Sequence, residues 1–121
     1  MTSLETARLA AKALDGKKGL DIKIIKITDI SSIADYFVIA TGTSGTHVKA
    51  LADEVEFRLD QAGLSVSAVE GQRNDTWILL DYIDVVVHVF SEDAREYYSL
   101  DRLWEDGEMI DPELDQSQDN N

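Results

Sequence analysis

Two apolar runs flank a short polar turn late in this chain. Residues 76–80 read TWILL, residues 81–84 read DYID and residues 85–90 read VVVHVF. Runs of this length, rich in β-branched residues and joined by a tight connection, form an antiparallel hairpin. In the first run Trp77, Leu79 and Asp81 share one face, and Ile78 and Leu80 share the other. In the second, Val85, Val87 and Val89 oppose Val86, His88 and Phe90. Both faces of that strand are apolar. It therefore lies centrally in a sheet, or one of its faces meets a partner.

Ser91 reads as the N-cap of a following helix, with Glu92 and Asp93 in the first turn, where the helix dipole favours them. An aromatic-rich segment comes next: Tyr97, Tyr98, Leu100, Leu103 and Trp104. Residues 77–104 hold both tryptophans and three of the four tyrosines. Aromatics gathered beside a strand with two apolar faces point to recognition more than to chemistry.

Upstream, Thr2 and Glu5 have the spacing of a capping box. Leu4, Ala7, Ala11 and Leu14 then share a helical stripe, and Gly16 reads as the C-cap. Residues 21–28 alternate as a strand, but the phase slips at Ile25, which predicts a bulge there or a strand buried unevenly. Residues 35–41, DYFVIAT, read as a strand buried on both faces. The turn Gly42-Thr43-Ser44-Gly45 opens a helix over 46–62, with Val48, Leu51, Ala52, Val55, Leu59 and Ala62 on its apolar side and Gly63 at its end. Residues 65–70 read as a third strand. The element order is α, β, β, α, β, β, β, α. It predicts an α+β fold with a five-stranded mixed sheet and helices mainly on one face.

The 121 residues make one domain with a single core. No cysteine is present, which removes thiolate chemistry and cysteine-ligated zinc. No run has the length of a membrane span, and the N-terminus lacks a signal-like pattern, so the expectation is a cytoplasmic protein. The net charge is −13, and seven acidic residues follow Trp104 with no basic one among them. Residues 1–104 still carry seventeen acidic against eleven basic side chains. A phosphate backbone would be repelled, whereas a basic protein would be attracted. The expected division is a folded domain over 1–107 and an acidic, disordered tail over 108–121.

Catalytic constellations are sparse. The turn at Gly42–Gly45 lacks the Gly-Lys-Ser/Thr of a phosphate-binding loop and reads as a tight turn with an N-cap. Ser44 beside His47 lacks a nucleophile elbow. Neither His47 nor His88 has metal-ligand spacing with Asp81 and Asp84, and His88 reads as a structural histidine. Asp81 and Asp84 bracket Tyr82-Ile83 as turn formers.

The blocks DYFVIATGTS at 35–44, His47-Val48, Ala52-Asp53, Glu70-Gly71, Trp77, 81–90 and YYSLDRLW at 97–104 occur in an order that resembles the Iojap-like family. The resemblance runs from about Thr2 to Gly107. It implies a nucleotidyltransferase-like topology without the catalytic carboxylates, because the strand at 65–70 offers one carboxylate only, Glu70. It implies no enzyme and no cofactor. It implies a translational repressor that binds the large ribosomal subunit through large-subunit ribosomal protein fourteen. Bound there, it would block the small subunit when nutrients are short. The partner-binding residues it implies are Trp77, Leu79, Asp81, Tyr82, Asp84, His88 and Tyr98, and the free protein would be a homodimer. Family members often carry glycine where this chain has Ile83, which predicts a looser turn here. The competing readings are an active nucleotidyl- or phosphotransferase and an acidic dimeric adaptor with another target.

Overall fold

The structure, a computed structural model, describes residues 1–71, 75–98 and 102–114. Helix α1 spans Ser3–Gly16. Its capping box is formed: Thr2 Oγ1 accepts from the Glu5 amide at 3.1 Å, and Glu5 Oε1 accepts from the Thr2 amide at 2.7 Å. These bonds favour the charged carboxylate and hold Glu5 below its ordinary pKa. The expected cap at Gly16 is displaced. Lys17 is the C-cap, and Lys18 adopts the left-handed conformation at φ 63°.

Strands β1 (Leu20–Lys26) and β2 (Tyr36–Gly42) pair antiparallel. All seven residues of β2 are buried, as its unbroken apolar run requires. The bulge in β1 falls between Leu20 and Lys23, not at Ile25. Ile24 enters the core under the helices and Ile25 the cluster on the opposite face, so two adjacent isoleucines need no slip.

Ser44 caps α2 (Gly45–Gln61), its Oγ accepting from the His47 amide at 3.1 Å. Strands β3 (Ala68–Glu70), β4 (Trp77–Asp81) and β5 (Val85–Ser91) follow. Helix α3 covers Glu92–Tyr98, with the Ser91 hydroxyl accepting from the Ala94 amide. A short α4 (Leu103–Asp106) leads to β6 (Glu108–Ile110). Among the described residues the sheet therefore has six strands rather than five, in the order β3-β4-β5-β2-β1-β6. Its one parallel pair among the described residues joins β2 to β5, not to the strand directly after α2. These two doubly apolar strands occupy the centre.

Helices α1 and α2 cover one face, burying Leu14, Leu51, Val55 and Leu59 against Ile24, Val38, Leu80 and Val87. The opposite face holds Ile25, Ile27, Phe37, Ile39, Val86 and Phe90, against which Ala94 of α3 packs.

Regular structure continues past the boundary expected at residue 107. Strand β6 pairs with β1, Ile110 and Leu114 pack against the core, and Arg8 bonds the Asp111 carbonyl and pairs with Glu113 at 3.3 Å. Residues 115–121 lie outside the described residues.

Candidate partner-binding surface

The β4–β5 hairpin builds the candidate site. Its register opposes Trp77 to Phe90, Leu79 to His88 and Asp81 to Val86. The period of two sends Ile78 and Leu80 under α1 and α2, and leaves Trp77 and Leu79 half-buried on the other face. There the Trp77 ring leans on Phe90 with centroids 5.0 Å apart.

His88 lies beneath this surface. It is only 4% exposed, and Phe37 meets its ring edge-on at 4.6 Å. The Trp77 indole N–H donates to His88 Nδ1 at 3.2 Å. That bond fixes the neutral tautomer with the proton on Nε2. Burial pushes the His88 pKa down to about 4. Its Nε2 has no hydrogen-bond partner among the described residues. His88 thus orients Trp77 from below and presents almost no surface of its own in the free chain.

The turn is tighter than the missing glycine predicts. The Asp84 amide donates to the Tyr82 carbonyl at 2.9 Å around Ile83, which takes φ 74°. This is a γ-turn of the strained, positive-φ kind. Asp81 Oδ1 accepts from the Ile83 amide at 2.8 Å, so its carboxylate holds the turn. The Asp84 carbonyl accepts from the Asp35 and Tyr36 amides, tying the turn to the start of β2, while its side chain is exposed.

Tyr82 leaves the group. It packs on the helix-covered side, and its hydroxyl is pushed up to about 12, first by burial and then by Glu56 and Asp60 of α2. Trp77, Leu79 and Asp81 therefore share a face with His88 under them, Asp84 stands at the tip and Tyr82 faces away. The Tyr98 and Trp104 side chains lie outside the described residues. The backbone at Tyr98 ends α3, which packs on the Trp77 side of the sheet through Ala94.

Sequence reasoning passed over Arg95. It is buried, donates to Thr41 Oγ1 at 2.8 Å and pairs with Asp21 at 3.2 Å. The signal available was one arginine in an acidic helix start, which no local pattern separates from a solvated side chain. Among the described residues, no three His, Asp or Glu side chains group closely enough to hold a metal ion. Within the same residues no helix is long and apolar enough to cross a membrane.

The family model described as "Ribosomal silencing factor during starvation" matches residues 1–121. The chain belongs to this family. It is similar to the ribosomal silencing factor RsfS of Bacillus subtilis, 39% identical over 118 residues, which cover 98% of this chain and 100% of that one. It is also similar to the mouse protein named "Mitochondrial assembly of ribosomal large subunit protein 1", 31% identical over 87 residues, 69% of this chain and 38% of that longer one. Among solved structures, a Chromobacterium violaceum protein matches with a TM-score of 0.84 and 38% identity, covering 87% of this chain and 88% of its own. The family match reaches past the acidic residues that the sequence blocks left out.

Proposed function

We propose that this protein silences ribosomes by binding the large subunit at large-subunit ribosomal protein fourteen and sterically blocking the small subunit. The observation that carries the reading is the paired, half-buried Trp77 and Leu79 on the sheet face opposite the two long helices, beside the acidic turn. An apolar centre with an acidic margin suits a basic protein partner. Trp77 and Leu79 anchor the contact, with Tyr98 at the end of α3. Asp81 and Asp84 meet Lys or Arg, and Tyr82 braces the turn from behind. The names of the relatives support a ribosomal target and a regulatory role.

No bond is made or broken in this mechanism. The fold is read as nucleotidyltransferase-like with its catalysis absent: Ser44 caps α2 and β3 carries one carboxylate, Glu70. Calorimetry with ATP and magnesium should give no saturable micromolar binding, and such binding would restore the transferase reading. The protein acts in the cytoplasm, and when free it forms a homodimer that shields part of its apolar face.

Co-sedimentation with purified large subunits tests the proposal. Wild-type protein should pellet with them and lower their joining to small subunits. Trp77→Ala and Tyr98→Ala should each weaken binding by roughly 30-fold or more, as loss of an aromatic hot spot does. Thermal melts accompany each variant. If both variants keep full binding while folded, the surface is wrongly assigned.

A further inference from the structure

Across the sheet from Trp77, α2 and the hairpin turn leave a cleft of about 260 Å3. Glu56, Phe57 and Asp60 of α2 line it, with Leu64, Val66 and Tyr82. A second cleft of about 230 Å3 adjoins it through the shared Glu56 and adds Asp53 and Lys49. Phe57 lies off the stripe that α2 buries, and it is 58% exposed. Phe57 is a large apolar side chain that the core does not use, and it stands beside a cleft whose lining includes the half-buried Leu64 and Val66.

The rim is acidic. Asp53, Glu56 and Asp60 fall at i, i+3 and i+7 along one side of α2. Burial and the neighbouring Asp53 raise the Glu56 pKa, and burial, Glu56 and Asp60 raise that of Tyr82. Among the described residues, Lys49 is the one cation lining either cleft. Arg58 is engaged by Glu54 at 2.8 Å.

A second copy of a chain with net charge −13 would bring like charges together at this rim. A phosphate backbone would meet the same repulsion. The geometry points to a second docking surface, distinct from the Trp77 face, for a Lys- or Arg-bearing amphipathic segment of a partner protein. The segment's apolar residue fills the cleft against Phe57, Leu64 and Val66, and its cations reach Glu56 and Asp60. This is helix-in-groove recognition with charge-set specificity. Because the two surfaces lie on opposite sides of the sheet, both can be engaged at once.

The test uses the full chain, isotope-labelled for NMR, titrated with a short peptide carrying lysine and leucine in amphipathic helical register. Shifts should centre on Glu56, Phe57, Asp60, Leu64 and Tyr82. Phe57→Ser and, separately, the pair Glu56→Gln with Asp60→Asn should each weaken binding about tenfold or more. Phe57 is exposed, so the fold should survive; the carboxylate pair retains every apolar side chain and tests charge alone. A lysine–serine peptide should bind much more weakly, and a glutamate–leucine peptide should not bind. Shifts spread over all acidic residues, equal affinity for the lysine–serine peptide, or binding indifferent to both sets of variants would overturn the proposal. So would concentration-dependent shifts at the cleft without peptide, which would show a second copy there.

Discussion

Ile83 carries the least comfortable backbone in the hairpin. A β-branched residue at φ 74° crowds its own Cβ against the chain, a conformation that costs about 1–2 kcal/mol. Its side chain is 63% exposed and gives back little burial. Replacing it by glycine removes the strain but adds about 0.4–1 kcal/mol of unfolded-state entropy. The strain outweighs that entropy, so Ile83→Gly should stabilise by up to about 1 kcal/mol, read as a higher urea midpoint at unchanged slope. An unchanged or lower midpoint would show that the turn accommodates isoleucine without strain. His88 sets a second residue-scale expectation. Its folded pKa is about 4, below the ordinary value of 6.5. Between those values the unfolded chain binds a proton that the folded chain refuses. The His88 contribution is thus intact above about pH 6.5 and lost progressively as pH falls toward 4, by at most about 3 kcal/mol. Carboxylates titrate in the same window, so the diagnostic quantity is a difference. His88→Leu should show a flatter stability profile between pH 6.5 and 4 than wild type, and parallel profiles would place the proton elsewhere.

Helices α1 and α2 are joined at their ends by one imidazole. His47 Nδ1 accepts from the Thr43 amide at 2.9 Å, and Nε2 therefore donates to the Lys17 carbonyl at 2.8 Å. The ring closes the α2 entry turn and satisfies the end of α1 together. His47→Ala should destabilise by about 1–2 kcal/mol, the loss of two such bonds, and leave large-subunit binding intact. A loss of binding without a loss of stability would move His47 into the interface. Among elements, what the sequence showed plainly was local. The Thr2–Glu5 box, the Ser44 cap, the buried run of β2 and the alternation of β4 each rest on neighbours within a few residues. What it hid was pairing at a distance. Three residues of β6 carry too little alternation to announce a strand, and their partner lies in β1. The parallel register of β2 with β5 spans an intervening helix and two strands. The site divides the same way. Trp77, Leu79 and Asp81 followed from a period of two. The burial of His88 depends on Phe37 from another strand, whereas Tyr82 continues the alternation of Ile78 and Leu80 onto the helix-covered side, a place the period of two already implied. Arg95 finds Thr41 across 54 residues, which no local pattern records.

At the scale of the whole molecule, the C-terminal segment closes the sheet. Without β6, strand β1 would become the edge, with its ladder groups facing water along Ile24, Ile25 and Lys26. Ile110 and Leu114 would also leave the core they cover. The ion pair from Arg8 to Glu113 contributes much less, since both side chains meet solvent and such pairs are worth under about 1 kcal/mol. Backbone pairing and apolar cover, not charge, therefore dominate the attachment. Two variants separate these contributions. Arg8→Ala should shift the melting temperature by only a few degrees, and salt should shrink that shift. Truncation before Glu108 should lower it by roughly 5–15 °C, on the scale of about 1–3 kcal/mol for a domain of this size. The truncated protein should also self-associate more readily as concentration rises, because an uncovered β1 edge can pair with another chain. A truncation that melts with wild type would show that β6 rests on the fold without holding it. A large loss from Arg8→Ala alone would show instead that charge carries the attachment.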